Sequence, residues 1–248
     1  MSSSACCSIP AVTSDYTPKG TYKSLGDFDK VYVTGTEGSD KALICVFDIF
    51  GFFPQTQQGA DILASTLGAT VYMPDFFAPD GPVPTSRHPP KNKEDEEFLS
   101  NFFATTAAPP KAVEKVKAFS QVVKSGGAKR LGLYGFCWGG KVSMLTAADS
   151  TVVGAAAVVH PAMFSVDDAE KVQVPMGIYP SKDESKDELE KVEKVLGGKP
   201  FASKNDFEYY STMHHGWAAA RADLQNAENK KQFEDVYSRL ATFFSSAL

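Results

Sequence analysis

No apolar run in this chain approaches the roughly 20 residues that a membrane-spanning helix needs. Basic residues are not in excess either: 25 Lys and Arg stand against 30 Asp and Glu, for a formal net charge of -5. With no basic run interleaved with aromatics, a nucleic-acid surface is excluded as an expectation. Cysteine is scarce, and Cys6, Cys7, Cys45 and Cys137 lack the spacing of a disulfide framework. That scarcity argues against a cross-linked scaffold and for a reducing compartment. His214 and His215 are adjacent and so lack the i, i+4 spacing of a zinc helix, and no metal is expected. The residues after Met1 form neither a basic n-region nor an apolar h-region, so no secretory signal is expected and the cytoplasm is the default location. Nothing in the sequence bears on oligomeric state.

What remains is an ordinary globular composition, 43% hydrophobic and 22% charged, in 248 residues, a size that suits one large α/β domain. Residues 1–26 are polar and rich in Ser, Pro, Gly and Thr, which predicts an extended arm ahead of a domain over 27–248. Cys6 and Cys7 lie in that arm as idle thiols or as a redox or acylation pair.

Within the domain, Lys30–Thr34 alternates like an edge strand. Ala42–Phe47, Thr151–Val159 and Val174–Tyr179 are continuous apolar runs, the pattern of strands buried on both faces of a parallel sheet. Ala69–Met73, Arg130–Tyr134 and Asp206–Tyr210 complete the predicted strands. Helical patterns fall between them, at Gln55–Leu67, Lys111–Lys124, Glu184–Leu196 and most of Ala218–Leu248. Strands alternating with helices give a mostly parallel sheet with helices on both faces. No insertion is long enough for a lid domain. Phe76–Pro90 is a long Pro-rich loop carrying Arg87 and His88, and a loop of that length in a compact domain is usually functional.

The centre of the chain is Gly135-Phe136-Cys137-Trp138-Gly139-Gly140-Lys141, between an apolar strand and an apolar helix. Gly-x-Cys-x-Gly in that setting is a nucleophile elbow with cysteine in place of serine. A thiol at a helix N-terminus is favoured as thiolate by the macrodipole and the unpaired N–H groups. Other readings fit less well. A phosphate-binding loop needs Ser or Thr after Lys141, where Val142 stands. Papain-like enzymes carry their cysteine near the mature N-terminus, whereas Cys137 is mid-chain. A buried structural cysteine in a Gly-rich turn is the remaining alternative.

In this fold class the nucleophile, acid and histidine follow in that order, each on a turn after a strand. Cys137, Asp183 and His215 satisfy both conditions, with Glu184 and Asp187 as rivals for the acid. The imidazole would take the thiol proton and the carboxylate would fix its tautomer. An oxyanion hole needs the N–H after the nucleophile, Trp138, and one from an early strand-end turn, where Ile49 is the natural donor. His160, at a strand's C-terminal end, is a substrate-binding candidate. So is Trp217, two residues after His215.

Asp48-Ile-Phe-Gly, Gly-Phe-Cys-Trp-Gly-Gly, Ser-Lys-Asp183 and His215-Gly-Trp together resemble the dienelactone hydrolase family, above all its eukaryotic, fungal-type members. The resemblance covers the chain from about Lys30 on. It implies an α/β-hydrolase fold, a cofactor-free Cys-His-Asp triad and a small ester or lactone as substrate. It also implies that Asp48 stands where bacterial members carry a glutamate that tunes the thiolate, and that Arg87 or Arg221 is a candidate for binding a substrate carboxylate. Asp48 is also readable as a turn residue capping backbone amides. The alternative to a hydrolase is a redox-responsive thiol protein or a ligand-binding relative of the same fold.

Overall fold

A computed structural model describes residues 10–248. The continuous apolar runs form the strands at the centre. β3 (Lys41–Val46), β5 (Arg130–Phe136), β6 (Ala155–Val159) and β7 (Met176–Tyr179) lie side by side and almost wholly buried. With β1 (Thr21–Leu25), β2 (Phe28–Gly35), β4 (Thr70–Pro74) and β8 (Asp206–Phe207) they form one eight-stranded sheet. Its order is β1-β2-β4-β3-β5-β6-β7-β8. β2 is antiparallel to both β1 and β4, and every pairing from β4 across to β8 is parallel.

Helices α1 (Pro54–Leu67), α2 (Lys93–Ala104), α3 (Pro109–Ser125), α4 (Trp138–Thr146), α5 (Val166–Ala169), α6 (Lys186–Gly197) and α7 (Ala227–Ala247) cover the two faces. α1 packs with α7, and α3 with α4. Their starts follow local chemistry. Pro54 opens α1, where its missing N–H costs nothing, while Asn92 and Ser185 cap α2 and α6 by accepting the Asp95 and Glu188 N–H groups. This is a single α/β domain. No helix of the described residues is long and apolar enough to cross a membrane.

Several boundaries differ from the sequence reading. Thr21–Leu25, expected in the arm, is strand β1, paired with β2 through Tyr22↔Tyr32. Lys30–Thr34 is therefore one strand in from the edge. Residues 151–154 form a turn before β6, and 218–226 turn irregularly before α7 begins. The short α5 carries too few residues to show a helical period.

The described part of the arm is fastened down. The Tyr16 hydroxyl and the Lys19 N–H both donate to Asp61 Oδ2, and the Tyr32 hydroxyl donates to Oδ1. Further along, the Val12 N–H donates to the Ala220 carbonyl, and Gln55 Nε2 donates to the Val12 carbonyl. Cys6 and Cys7 lie outside the described residues.

Candidate active site

Parallel strands deliver their loops to one edge of the sheet, and the carboxyl ends of β3, β5, β6, β7 and β8 bring the expected residues together there. β5 ends at Phe136 and α4 begins at Trp138, so Cys137 alone makes the turn, at φ 53 and ψ -115. A non-glycine residue in that region is strained and must be held by its surroundings. The Cys137 N–H donates to Val159, and its carbonyl accepts from Gly140 at 3.0 Å and Ala162 at 2.9 Å. The glycines are needed for close approach. A Cβ on Gly135 would lie 2.0 Å from the Gly139 carbonyl oxygen, and one on Gly139 would lie 2.0 Å from that of Val46. Helix α4, β5 and β3 therefore meet backbone to backbone.

His215 sits in the loop after β8. Its Nδ1 lies 2.7 Å from Glu184 Oε1, and a carboxylate can only accept, so Nδ1 carries the proton and Nε2 is the basic nitrogen. The second Glu184 oxygen accepts the Ser181 N–H. Glu184, not the expected Asp183, is thus the carboxylate on the imidazole. Asp183 Oδ2 instead accepts the backbone N–H of His215 at 2.8 Å, which positions the loop rather than the ring. Both acids stand on the turn after β7. Ser185 caps α6 directly behind them, and the tight turn projects the second acid inward. Asp187, the other rival, is exposed in the first turn of α6. Gly216, at φ 94, has Arg221 Cδ 2.7 Å from where a Cβ would stand, so the chain can turn sharply after His215 only as glycine.

Asp48 is buried, and its oxygens accept the N–H groups of Phe50 at 2.9 Å and Ala220 at 3.2 Å. Burial pushes its pKa up to about 6, against the lowering effect of those hydrogen bonds and of the Arg221 charge. The carboxylate therefore ties the turn after β3 to the loop that carries His215. This is the amide-capping alternative, and it leaves Asp48 committed to backbone. The Ile49 and Trp138 N–H groups, expected as oxyanion donors, make no hydrogen bond among the described residues. Trp138 is first in α4 and Ile49 follows Asp48, so each stands at a strand end beside Cys137.

Arg221 is buried in the same loop. Nη1 donates to the His215 carbonyl at 3.4 Å, Nη2 lies 3.3 Å from His88 Nε2, and the guanidinium stacks 5.5 Å from the Phe50 ring. His88 packs edge-on against Phe50, with ring centroids 5.2 Å apart. The Pro-rich loop thus delivers His88 to the site. Arg87, the candidate from that loop, points away into an ion pair with Glu94 at 2.9 Å, over the Phe98 ring. Arg87 ends the 3-10 turn Thr85–Arg87, whereas His88 after it is extended at φ -136 and ψ 127, so the two side chains leave the backbone in different directions.

Trp217 is wholly buried with its ring 4.5 Å from Tyr210, and Trp138 is buried with its indole N–H on the Ala107 carbonyl. Both pack the scaffold rather than line a pocket. His214 is half-buried, its pKa lowered chiefly by that burial. His160 is fully buried at the end of β6, its ring 5.0 Å from that of His215. Among the described residues no group of three metal-ligating side chains converges. A groove of about 630 Å³ between the arm and α7, near Tyr16, Ile62 and Phe233, holds neither histidine nor cysteine and has no part in this chemistry.

A mostly parallel sheet with a strained Gly-x-Cys-x-Gly turn after β5, a carboxylate pair after β7 and a histidine loop after β8 is the arrangement of an α/β-hydrolase. Residues 29–248 match the dienelactone hydrolase family, and the chain belongs to it. An uncharacterized AIM2 family protein of Schizosaccharomyces pombe is 37% identical, covering 98% of this chain and 99% of its own. A carboxymethylenebutenolidase homolog of Xenopus tropicalis is 33% identical over a shorter stretch, 46% of this chain and 44% of its own. Among solved structures, the dienelactone hydrolase of Anabaena variabilis superposes with a TM-score of 0.65 at 12% identity, covering 94% of this chain and 98% of that one.

Proposed function

We infer that this chain hydrolyses a small carboxylic ester or lactone through a covalent thioester on Cys137. The observation that carries the reading is the buried Glu184–His215 pair, which leaves a basic Nε2 at the same sheet edge as a cysteine held at φ 53 on a helix N-terminus. His215 Nε2 takes the thiol proton, and the sulfur attacks the substrate carbonyl. The resulting oxyanion is held by the Ile49 and Trp138 N–H groups. Collapse breaks the bond to the leaving oxygen, which takes the proton back from the imidazolium. A water, deprotonated by His215, then attacks the thioester; the sulfur leaves as thiol and the acid is released.

Glu184 stabilises the imidazolium, and Asp183 and Asp48 fix the loops. Arg221, beside His215, is the candidate for meeting an anionic substituent on the substrate. Membership of the family and the likeness to a carboxymethylenebutenolidase homolog support lactones within the substrate class. A thiol nucleophile must stay reduced, which supports the cytoplasm as the place of action.

The test is release of p-nitrophenol from p-nitrophenyl acetate by wild type, by iodoacetamide-treated protein and by Cys137→Ala. Turnover lost on both treatments is the expected result. Retained turnover in Cys137→Ala overturns the mechanism. Reversible oxidation of Cys137 with no turnover would make the protein a thiol sensor instead.

A further inference from the structure

The hydrolysis scheme gives the buried imidazole of His160 no task. His160 follows the last residue of β6, and the Cys137 N–H donates at 3.2 Å to the carbonyl of the preceding residue, Val159. Its backbone sits at φ 37, in the left-handed region, which histidine tolerates better than most residues. The ring is fully buried, tilted over Phe136 at 5.6 Å and edge-on to His215 at 5.0 Å. Neither Nδ1 nor Nε2 has a hydrogen-bond partner among the described residues.

A buried donor or acceptor left unpaired destabilises the fold, and a phenyl ring would fill the same space without that cost. The position also fits a use. Along the sheet β3, β5 and β6 are neighbours, so Ile49 flanks Cys137 on one side and His160 on the other. An oxyanion drawn to the Ile49 side leaves the scissile bond's leaving oxygen toward His215, whose ring is the one His160 meets.

We propose that His160 is a binding residue of this site, hydrogen-bonding an oxygen on the leaving-group side of the substrate and so favouring esters and lactones that carry a polar substituent there. The proposal rests on the hydrolase reading. Burial first, then the charges of His215, Arg221 and His214, hold the imidazole well below its usual pKa. It therefore stays neutral near pH 7, with one N–H to donate and one lone pair to accept.

The experiment compares 2-hydroxyethyl acetate with propyl acetate, which have the same length and differ by one hydroxyl, in wild type, His160→Phe and His160→Asn. Phenylalanine keeps the ring and removes the nitrogens; asparagine restores a donor and an acceptor and accommodates a positive φ. Wild type should prefer the hydroxyl ester by about 5- to 10-fold in kcat/KM, the worth of one hydrogen bond. His160→Phe should lose that preference, His160→Asn should recover part of it, and the wild-type to His160→Phe ratio should stay flat from pH 6 to 9.

Wild type that turns over p-nitrophenyl acetate but does not discriminate between the two esters overturns the proposal alone. So does a His160→Phe variant that keeps the preference. A ratio that slopes with pH would show a titrating acid or base and overturn the neutral role. Wild type without turnover on any ester overturns the hydrolase reading, and this proposal with it.

Discussion

Two neighbouring acids, Asp183 and Glu184, both touch His215, and their substitutions should differ by orders of magnitude. Glu184→Gln keeps the shape and an accepting oxygen but removes the charge. The His215 and Glu184 side chains are 1% and 7% exposed, so solvent screens the pair little. With Nδ1 and Oε1 at 2.7 Å the charge centres lie about 4 Å apart, an interaction of about 4 kcal/mol at an effective dielectric of about 20. It is felt when the imidazole becomes imidazolium on the way to the tetrahedral intermediate. At about 1.4 kcal/mol per decade, kcat/KM should fall about 10³-fold. Asp183→Asn still offers an oxygen to the His215 N–H. It loses only the difference between a charge-assisted and a neutral hydrogen bond, about 1 kcal/mol or about 5-fold. Steady-state hydrolysis of p-nitrophenyl acetate, with thermal unfolding to confirm that both variants fold, decides the matter. A dead Asp183→Asn beside a Glu184→Gln within about tenfold of wild type would refute the assignment and return the acid role to Asp183.

Other perturbations test the scaffold. Gly139→Ala places a methyl 2.0 Å from the Val46 and 2.6 Å from the Phe47 carbonyl oxygens, so it should cost at least about 3 kcal/mol in urea unfolding. A loss under about 1 kcal/mol would contradict that packing. Burial raises the Asp48 pKa from 3.8 to about 6 on folding, so the native state holds its proton more tightly and wild type loses stability as pH rises through that window. Above it the loss is about 3 kcal/mol, at about 1.4 kcal/mol per unit. Asp48→Asn lacks this slope, so its stability should gain on wild type by about that amount between pH 4 and 7; a constant gap would refute the buried titration. Asp61→Ala removes the acceptor for Tyr16, Lys19 and Tyr32 and should cost about 3 kcal/mol. Trypsin should then cut faster after Lys19, and unchanged cleavage would show that the arm is held elsewhere.

The parts of this fold that the sequence discloses are those that need unusual residues at fixed spacing. The elbow is legible because strand, nucleophile and helix can meet only if Gly135 and Gly139 lack Cβ atoms, and the parallel strands because burial on both faces demands unbroken apolar runs. The sequence reading names Asp183 as the acid, on the right turn, but the ring meets its neighbour Glu184 instead. Asp183 and Glu184 are adjacent, and turn geometry, which no periodicity encodes, decides which one meets the ring. The same limit applies to Arg87 and His88. A charged residue draws attention in a list of letters, yet its neighbour faces inward. Trp217 misled in another way, since closeness in sequence to His215 says nothing about which side of the backbone a ring takes. His160 left a sequence signal only in its place at a strand end; its unpaired nitrogens are visible in three dimensions alone.

The hydrogen bond between Asp48 and Ala220 joins residues 172 apart in the chain. A ribosome would therefore release the thiol and both acids before the histidine, and the loops would stay unlatched until Ala220, about nine-tenths of the way along the 248 residues, had emerged. Until that late closure the nascent protein carries an ordinary cysteine, with no neighbouring base to sharpen it. On the proposed mechanism, unfinished chains would therefore carry no activated nucleophile.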